Sequence, residues 1–177
     1  MRTLFSILMV LSAPTLVNPN PPYDTIKVII EDKKEKEIVK DMNLFLHDLG
    51  YQESGNRYNI VNRFGYMGKY QFGKSTLRTL KIKVSKDAFL NSPDLQEYAM
   101  QQNLLYNKNK LQKFIDEFEG QEINGILITE SGILAAAHLG GPGSVKKYFR
   151  SGKIAIDGNG VKITNYMVKF GGYSLNI

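Results

Sequence analysis

The stretch ESGNRYNIVNRFGYMGKYQ, from Glu53 to Gln71, determines how the rest of this sequence is interpreted. One carboxylic acid opens it, and a glycine-rich, aromatic turn closes it. Gly65 and Gly68 allow tight turns and a close approach of the backbone to a ligand. The amide of Gln71 can both donate and accept hydrogen bonds. The spacing predicts a shaped cleft in which the acid takes part in chemistry.

The residues before Glu53 follow a helical pattern. An apolar stripe recurs at helical spacing through Ile38, Met42, Phe45 and Leu49. It predicts a helix over residues 35–54, with Gly55 as its C-terminal cap. Glu53 then lies one turn beyond Leu49 on the apolar stripe, where burial would raise the pKa of its carboxyl. From position alone, an ordinary glutamate near a helix end explains Glu53 equally well.

The second half of the chain also predicts helices. Ser92 and Pro93 form a typical helix start, and the helix that follows is expected to turn Leu95, Tyr98, Ala99, Leu105 and Tyr106 inward and to end at Gly120. Thr129 is expected to cap an alanine-rich helix over residues 130–138. Residues 140–143 should break that helix, and Ser144 should cap a short helix through Phe149. Residues 157–160 form a turn. Residues 35–177 are predicted to be one mainly α domain.

Several aromatic residues follow the acid at short range. Tyr66, Tyr70 and Phe72 are candidates for lining a sugar-binding groove, because aromatic faces stack on the apolar face of a sugar ring. The alternative is that this glycine-aromatic turn packs into the core.

Three blocks of the sequence resemble one known family, the soluble-type lytic transglycosylases of glycoside hydrolase family 23, in the lysozyme-like superfamily. The first is Glu53-Ser54 followed in register by Gly65, Met67, Gly68 and Gln71. The second is residues 134–145, LAAAHLGGPGSV, which is similar to the family's Ala-Ala-Tyr-Asn-Ala-Gly-Pro-Gly block. The third, residues 163–167, is similar to its late Thr-x-x-Tyr-Val segment.

The resemblance implies a lysozyme-like single domain with the catalytic acid/base, Glu53, at the end of a core helix. It further implies a set of substrate-binding residues: Ser54, Gly68, Tyr70, Gln71, His138, Gly140 and Tyr166. The chain departs from the family at His138 and Leu139, where Tyr and Asn are usual. It also departs at Lys69-Tyr70, which replaces an apolar pair.

The activity implied by the resemblance is cleavage of peptidoglycan glycan strands between N-acetylmuramic acid and N-acetylglucosamine, with a 1,6-anhydromuramyl product. Two alternatives remain. One is a hydrolytic lysozyme or chitinase-like glycosidase, which would need a second carboxylate. The other is a non-catalytic wall-binding module on the same scaffold, which the changes at His138 and Leu139 motivate.

Other chemistry has little support in the sequence. Glu130 lies in a second Glu-Ser-Gly, but as the first residue of a helix it favours the helix dipole. Asp157, like Glu130 a candidate for the second carboxylate of a hydrolase, lies in a turn, and a plain turn is the simpler interpretation. With two histidines, His47 and His138, and no cysteine, neither a zinc site nor a Ser-His triad is indicated. No metal or cofactor is predicted.

Composition restricts the partners of the chain. Its 177 residues carry a net charge of +6 and a pI near 9.3, which favours an anionic partner. The sequence contains no zinc finger, aromatic RNP pattern or arginine patch, so nucleic acid is not predicted. The absence of cysteine excludes disulfides and thiolate chemistry.

The N-terminus predicts export. One positive charge, a short apolar run from Leu4 to Leu11 and small residues near Ser12 are typical of a signal peptide over residues 1–17. Residues 18–34 are interpreted as a Pro-rich linker with a short strand near Ile26. After signal removal no stable membrane span is expected, and the location is periplasmic or extracellular.

Overall fold

Six helices and one short hairpin make up the part of the chain that the computed structural model describes, Val39–Ile177. The helices are α1 (Met42–Ser54), α2 (Lys74–Thr79), α3 (Lys86–Leu90), α4 (Pro93–Phe118), α5 (Glu130–Ser151) and α6 (Ile163–Lys169), and the hairpin pairs β1 (Glu122–Ile123) antiparallel with β2 (Ile126–Leu127). The prediction of a mainly α fold is confirmed. The predicted signal peptide and linker lie outside the described residues. No helix within residues 39–177 is both long enough and apolar enough to cross a membrane.

The helix that carries Glu53 ends where the sequence predicts but begins later. Gly55 adopts a left-handed conformation (φ 66°) that closes α1, as expected of a C-terminal cap. The predicted start near residue 35 is wrong for the described part, because residues 39–41 are not helical. Asp41 caps the helix instead: its Oδ1 accepts a hydrogen bond from the Leu44 amide at 2.9 Å.

Helix α4 begins at the predicted cap and runs without interruption to Phe118. Its inward face differs from the prediction, because Tyr98 and Leu105 are 51% and 46% exposed. The buried positions include three polar residues instead, namely Gln96, Asn103 and Asn107. Side chains of this kind stay buried only when they are hydrogen-bonded, so this face of α4 is set by polar contacts that hydrophobicity alone does not reveal.

Helix α5 forms the centre of the core and contains a kink. Thr129 caps it as predicted, with its Oγ1 accepting from the Gly132 amide. The break falls on one residue, Gly141 (φ 77°, ψ 156°), in a region that only glycine adopts readily. The helix resumes at Pro142 and not at Ser144, because proline suits a first helical position. Gly152 ends it in a left-handed conformation.

The first half of α5 packs closely against α6. A Cβ on Gly132 would lie 2.6 Å from the Met167 carbonyl oxygen, and one on Gly140 would lie 2.6 Å from Ile163 Cγ2. The other side of α6 meets α1, where the rings of Phe45 and Phe170 pack edge to face at 6.1 Å. Helix α6 is therefore held between α1 and α5.

Candidate active site

A cavity of about 450 Å³ opens where α1, α2, α4 and the kink of α5 meet. Side chains from five segments line it: Glu53; Asn62, Phe64, Tyr66, Gln71, Phe72 and Gly73; Ser75, Thr76, Thr79 and Leu80; Asn103, Tyr106 and Asn107; and Ala137, His138, Leu139, Gly141, Pro142, Asp157, Gly158 and Asn159. Half of these residues are polar and uncharged. Glu53 and Asp157 are the carboxylic acids among them.

The carboxyl of Glu53 lies at the wall of this cavity, with its side chain 13% exposed. The hydroxyl of Tyr166 donates a hydrogen bond to Glu53 Oε1 at 2.6 Å, and His138 Nε2 lies 4.0 Å from the same oxygen. The other oxygen, Oε2, makes no hydrogen bond to any residue of the described part. One side of the carboxyl is thus held by the protein while the other is available to a ligand.

Tyr166 stands behind the acid on α6 and is 5% exposed. Its ring packs against Phe170 at 5.2 Å between centroids. Burial, reinforced by the charge of Glu53 and the hydrogen bond to it, raises the pKa of the Tyr166 phenol far above its ordinary value. The phenol therefore keeps its proton and serves as a permanent donor to Glu53.

His138 is fixed beside the acid by one hydrogen bond and one ring contact. Its Nε2 donates to the Tyr70 carbonyl at 3.0 Å, since a carbonyl oxygen can only accept. Its ring meets Phe72 edge to face at 5.6 Å. Nδ1 is buried and has no partner among residues 39–177. The ring therefore links the start of the α5 kink to the loop that ends at Gln71.

Gln96 of α4 anchors the loop between Tyr58 and Phe72. It is fully buried, accepts from the Lys69 amide at 2.8 Å and donates to the carbonyls of Tyr58 and Phe89 at 3.0 and 2.8 Å. A Cβ on Gly68 would lie 2.0 Å from Gln96 Oε1. Only glycine leaves room for this amide, so Gly68 serves loop packing.

A charged cluster beside Gln96 holds the same loop from the other side. Glu97 accepts from the hydroxyls of Tyr58 and Tyr70, each at 2.6 Å, and from Lys69 Nζ at 2.8 Å. Burial pushes the pKa of Glu97 upwards, but these three donors outweigh it and the pKa lies below its ordinary value. The Lys69-Tyr70 pair, which departs from the resembled family, thus has a structural partner in α4.

Gln71 closes the loop in a conformation that costs energy. Its φ of 51° places a non-glycine residue in the left-handed region, and its Nε2 donates to the Gly68 carbonyl at 2.8 Å. Such strained residues tend to occur at ligand sites, where the surrounding structure holds them. In this conformation Gln71 lines the cavity.

Of the seven residues predicted to bind substrate, five do not line the cavity, and one of these five, Tyr166, contacts Glu53 instead. Tyr70 is fully buried, because its hydroxyl is bonded to Glu97. Ser54 is 6% exposed, and its Oγ donates to the Lys69 carbonyl at 2.8 Å, which joins the end of α1 to the loop. Gly68 packs on Gln96 and Gly140 on Ile163. The site is shaped from behind by Ser54, Gly68, Tyr70 and Gly140, whose direct contact with a ligand stays a prediction.

The remaining predicted residues meet in one place. Glu53, Gln71 and His138 line the cavity, and Tyr166 reaches Glu53. Tyr66 and Phe72 line it as well. Residues separated by up to 113 positions in the sequence thus lie around a single concavity.

Sequence reasoning missed the part of the wall that α4 contributes. Asn103 and Asn107 line the cavity while only 5% and 2% exposed, and Asn107 Nδ2 donates to Asn103 Oδ1 at 2.7 Å. Two asparagines four residues apart on one helix face, within an apolar stripe, were the available signal. Each retains hydrogen-bonding capacity that no residue of the described part uses.

Asp157 also lines the cavity, which its place in a turn did not suggest. The predicted turn is confirmed: Asp157 Oδ1 accepts from the amides of Asn159 and Val161 at 2.9 and 2.7 Å. Across the cavity mouth, Arg63 Nη2 donates to Asn159 Oδ1 at 3.0 Å. The turn is therefore fastened to the loop that carries Phe64 and Tyr66.

Glu130 stands apart from this site. It opens α5 and forms an ion pair with Lys108 at 3.0 Å, and it does not line the cavity. Within residues 39–177, no group of three or more His, Asp or Glu side chains is arranged to hold a metal ion.

Comparisons of the chain with protein-family models, curated proteins and solved structures find no match. The arrangement of the cavity and the family resemblance in the sequence therefore carry the functional argument.

Proposed function

We propose that this protein is a peptidoglycan lytic transglycosylase that cleaves the β-1,4 bond between N-acetylmuramic acid and N-acetylglucosamine. One observation carries the proposal: a largely buried carboxyl, Glu53, lies at the cavity wall with one oxygen held by Tyr166 and the other without a hydrogen bond to any residue of the described part. The residues around it belong to the blocks that resemble the family. A net charge of +6 suits the lactyl and peptide carboxylates of the polymer.

In the proposed reaction the two oxygens of Glu53 have different tasks. Because Tyr166 donates to Oε1, the proton that Glu53 delivers resides on Oε2. General acid catalysis transfers it to the glycosidic oxygen as the C1–O bond breaks, and the N-acetylglucosamine unit leaves as an alcohol. The substrate's own N-acetyl oxygen bonds to the anomeric carbon, as in substrate-assisted glycosidases.

The second half of the reaction returns the proton. The Glu53 carboxylate removes a proton from the C6 hydroxyl of the muramyl ring, and the resulting oxygen attacks C1. The bond to the N-acetyl oxygen breaks, a 1,6-anhydro ring closes and Glu53 is protonated again. No water is consumed, so a single carboxyl group is sufficient.

Replacing Glu53 with glutamine tests this role, because the amide cannot supply a proton. We expect Glu53→Gln to lower the release of fragments from purified sacculi by about 10²- to 10⁴-fold, the contribution typical of a general acid. Glu130→Gln is the matched control, since that residue opens the other Glu-Ser-Gly away from the cavity. It should keep its activity. Full activity in Glu53→Gln would contradict the proposal, and sacculus binding without release in every variant would favour a non-catalytic wall-binding module.

A hydrolytic glycosidase is the second candidate, and the position of Asp157 favours it. This carboxylate lines the same cavity as Glu53 and uses Oδ1 for its own turn, while Oδ2 makes no hydrogen bond within the described part. A hydrolase needs such a second carboxylate to direct water or to act as nucleophile. A hydrolase would release fragments with hydrated reducing ends. Asp157→Asn should abolish the release of such fragments.

A further inference from the structure

A second cavity of about 390 Å³ adjoins the first and shares Thr79, Leu80 and Tyr106 with it. Its remaining wall comes from Lys81, which follows α2, and from the exposed edge of α4, including Leu105 and Lys110. The two cavities therefore form one continuous cleft.

The two ends of this cleft differ in charge. The first cavity holds two carboxylic acids, Glu53 and Asp157, and no lysine or arginine. The second holds Lys81 and Lys110 and no acid. Both lysines are exposed, and neither forms an ion pair with an acid of residues 39–177. Their charge is available to an anionic group.

The backbone at Lys81 is fixed by the end of α2. The end of α2 is a Schellman motif, with the Lys81 amide donating to Arg78 and the Ile82 amide to Leu77. This position of the motif adopts a left-handed conformation and is usually occupied by glycine. Here it is occupied by Lys81, with a φ of 59°. A lysine there costs more free energy than glycine would, and the helix end fixes its backbone at the wall of the second cavity.

The apolar part of the second cavity indicates the kind of anion. Leu105 is 46% exposed beside Tyr106, whose ring lies 5.6 Å from Lys110 Nζ. A surface that combines aliphatic and aromatic carbon with two ammonium groups suits an organic carboxylate better than a bare phosphate. A short peptide with free carboxylates has this chemistry.

We propose that the second cavity binds the carboxylate-bearing peptide branch of the glycan strand, while the sugars occupy the first cavity. This proposal rests on the proposed function. It makes Lys81 and Lys110 determinants of specificity for strands that carry peptides, at a distance from the acid.

The test compares three soluble glycan fragments of equal length: one with free peptide carboxylates, one with the same peptides amidated, and one without peptides. Binding is measured in the Glu53→Gln background of the full chain, which keeps the fragments intact. We expect the free-carboxylate fragment to bind most tightly, with a preference that shrinks as ionic strength rises.

Single substitutions then test which lysines cause the preference for free carboxylates. Lys81→Gly and Lys110→Gln should each reduce the preference for free carboxylates by about two- to fivefold, as expected for losing one exposed ion pair. Lys83→Gln and Lys113→Gln remove the same charge from exposed lysines outside both cavities and should have no such effect. Lys81→Arg should retain the preference. The unfolding midpoint of Lys81→Gly should be no lower than that of wild type, because glycine suits the left-handed position.

The outcomes separate the two proposals. If the peptide-free fragment binds but amidation and the Lys81 and Lys110 variants change nothing, the second cavity is not a peptide site and the proposed function stands. Equal losses in Lys83→Gln and Lys113→Gln would also overturn the site, because they would indicate overall charge alone. If no fragment binds any variant, both proposals fail.

Discussion

At the scale of single residues, the carboxyl of Glu53 owes its proposed role to two neighbours that approach it from behind. Tyr166 holds Oε1 at 2.6 Å, and His138 lies 4.0 Å from the same oxygen while bonded to the Tyr70 carbonyl. A carboxyl fixed on one side presents its other oxygen in a defined direction, and defined direction is what proton transfer requires.

The hydroxyl of Tyr166 is expected to matter for turnover more than for folding. Tyr166→Phe keeps the ring packed on Phe170 but removes the donor to Glu53. We expect kcat on sacculi to fall about tenfold, equivalent to about 1.4 kcal/mol of lost positioning. The change in the free energy of unfolding should stay near 1 kcal/mol, the typical net value of one hydrogen bond.

Tyr148 offers a matched control for that variant. It is 3% exposed, and its hydroxyl has no hydrogen-bond partner among residues 39–177. Tyr148→Phe removes a buried polar group that gains nothing from the fold, so stability should rise by up to about 1 kcal/mol and kcat should stay unchanged. Equal losses of kcat in the two variants would contradict the role given to Tyr166.

At the scale of elements, the kink in α5 places Leu139 and Pro142 at the cavity wall. Gly141→Ala would force a side chain into a backbone conformation (φ 77°, ψ 156°) that only glycine adopts readily, although open space surrounds the position. We expect a loss of about 1–3 kcal/mol in the free energy of unfolding, measured by denaturant titration, together with reduced activity.

The control for this variant lies two residues along the same helix. Gly143 is exposed, and a Cβ built on it meets nothing within 4 Å. Gly143→Ala should leave stability unchanged or raise it by up to about 1 kcal/mol, because alanine favours the helix. If both substitutions destabilise equally, the kink does not depend on the conformation of Gly141.

The helix ends could be predicted from local chemistry, whereas the inward face of α4 could not. The caps at Ser92, Thr129 and Gly55 follow from side chains or conformations within a few residues, and all three are confirmed. The inward face of α4 depends on a loop more than twenty residues upstream, which Gln96 and Glu97 bind. Hydrophobic periodicity carries no information about such a partner, so Tyr98 and Leu105 were wrongly placed inside.

At the scale of the whole molecule, stability should decline at both ends of the pH range for identifiable reasons. The pKa of Glu97 is lower in the folded state than its ordinary 4.5, so the unfolded chain binds this proton first. The stabilisation is complete above about pH 4.5 and is lost as the pH falls through the folded pKa. Denaturant midpoints in buffers of decreasing pH should show this loss, with a shallower slope in Glu97→Gln. Identical slopes would contradict the role of the cluster.

At alkaline pH, stability should fall as the pH rises. Burial and the hydrogen bond to Glu97 raise the pKa of Tyr58 to about 12, and burial and the bond to Asp48 raise that of Tyr173 to about 12, from an ordinary 10.0. Their stabilisation is complete below about pH 10 and is lost as the pH rises towards 12. The same midpoints, extended to alkaline buffers, should fall in that interval.

The sequence predicted the helical class and brought together the acid, Gln71, His138 and Tyr166, but not the complete wall of the cavity. Family resemblance supplied the four residues, because it concerns positions that are distant in the chain. The places of Asn103 and Asp157 in the cavity wall were not predicted. A polar residue on a helix or in a turn is usually solvent-exposed or structural, and only the neighbouring elements show that it lines a cavity. The burial of Tyr70 was not predictable, because its partner Glu97 lies on α4.

The mass of the products released from sacculi tests the central claim most directly. If Glu53 acts alone and closes the muramyl ring, each fragment should be one water lighter than the corresponding fragment made by a hydrolytic lysozyme. When the digestion is carried out in ¹⁸O-water, the fragments should contain no ¹⁸O. Fragments with hydrated, ¹⁸O-labelled reducing ends would contradict the account and would give Asp157 the role of second carboxylate.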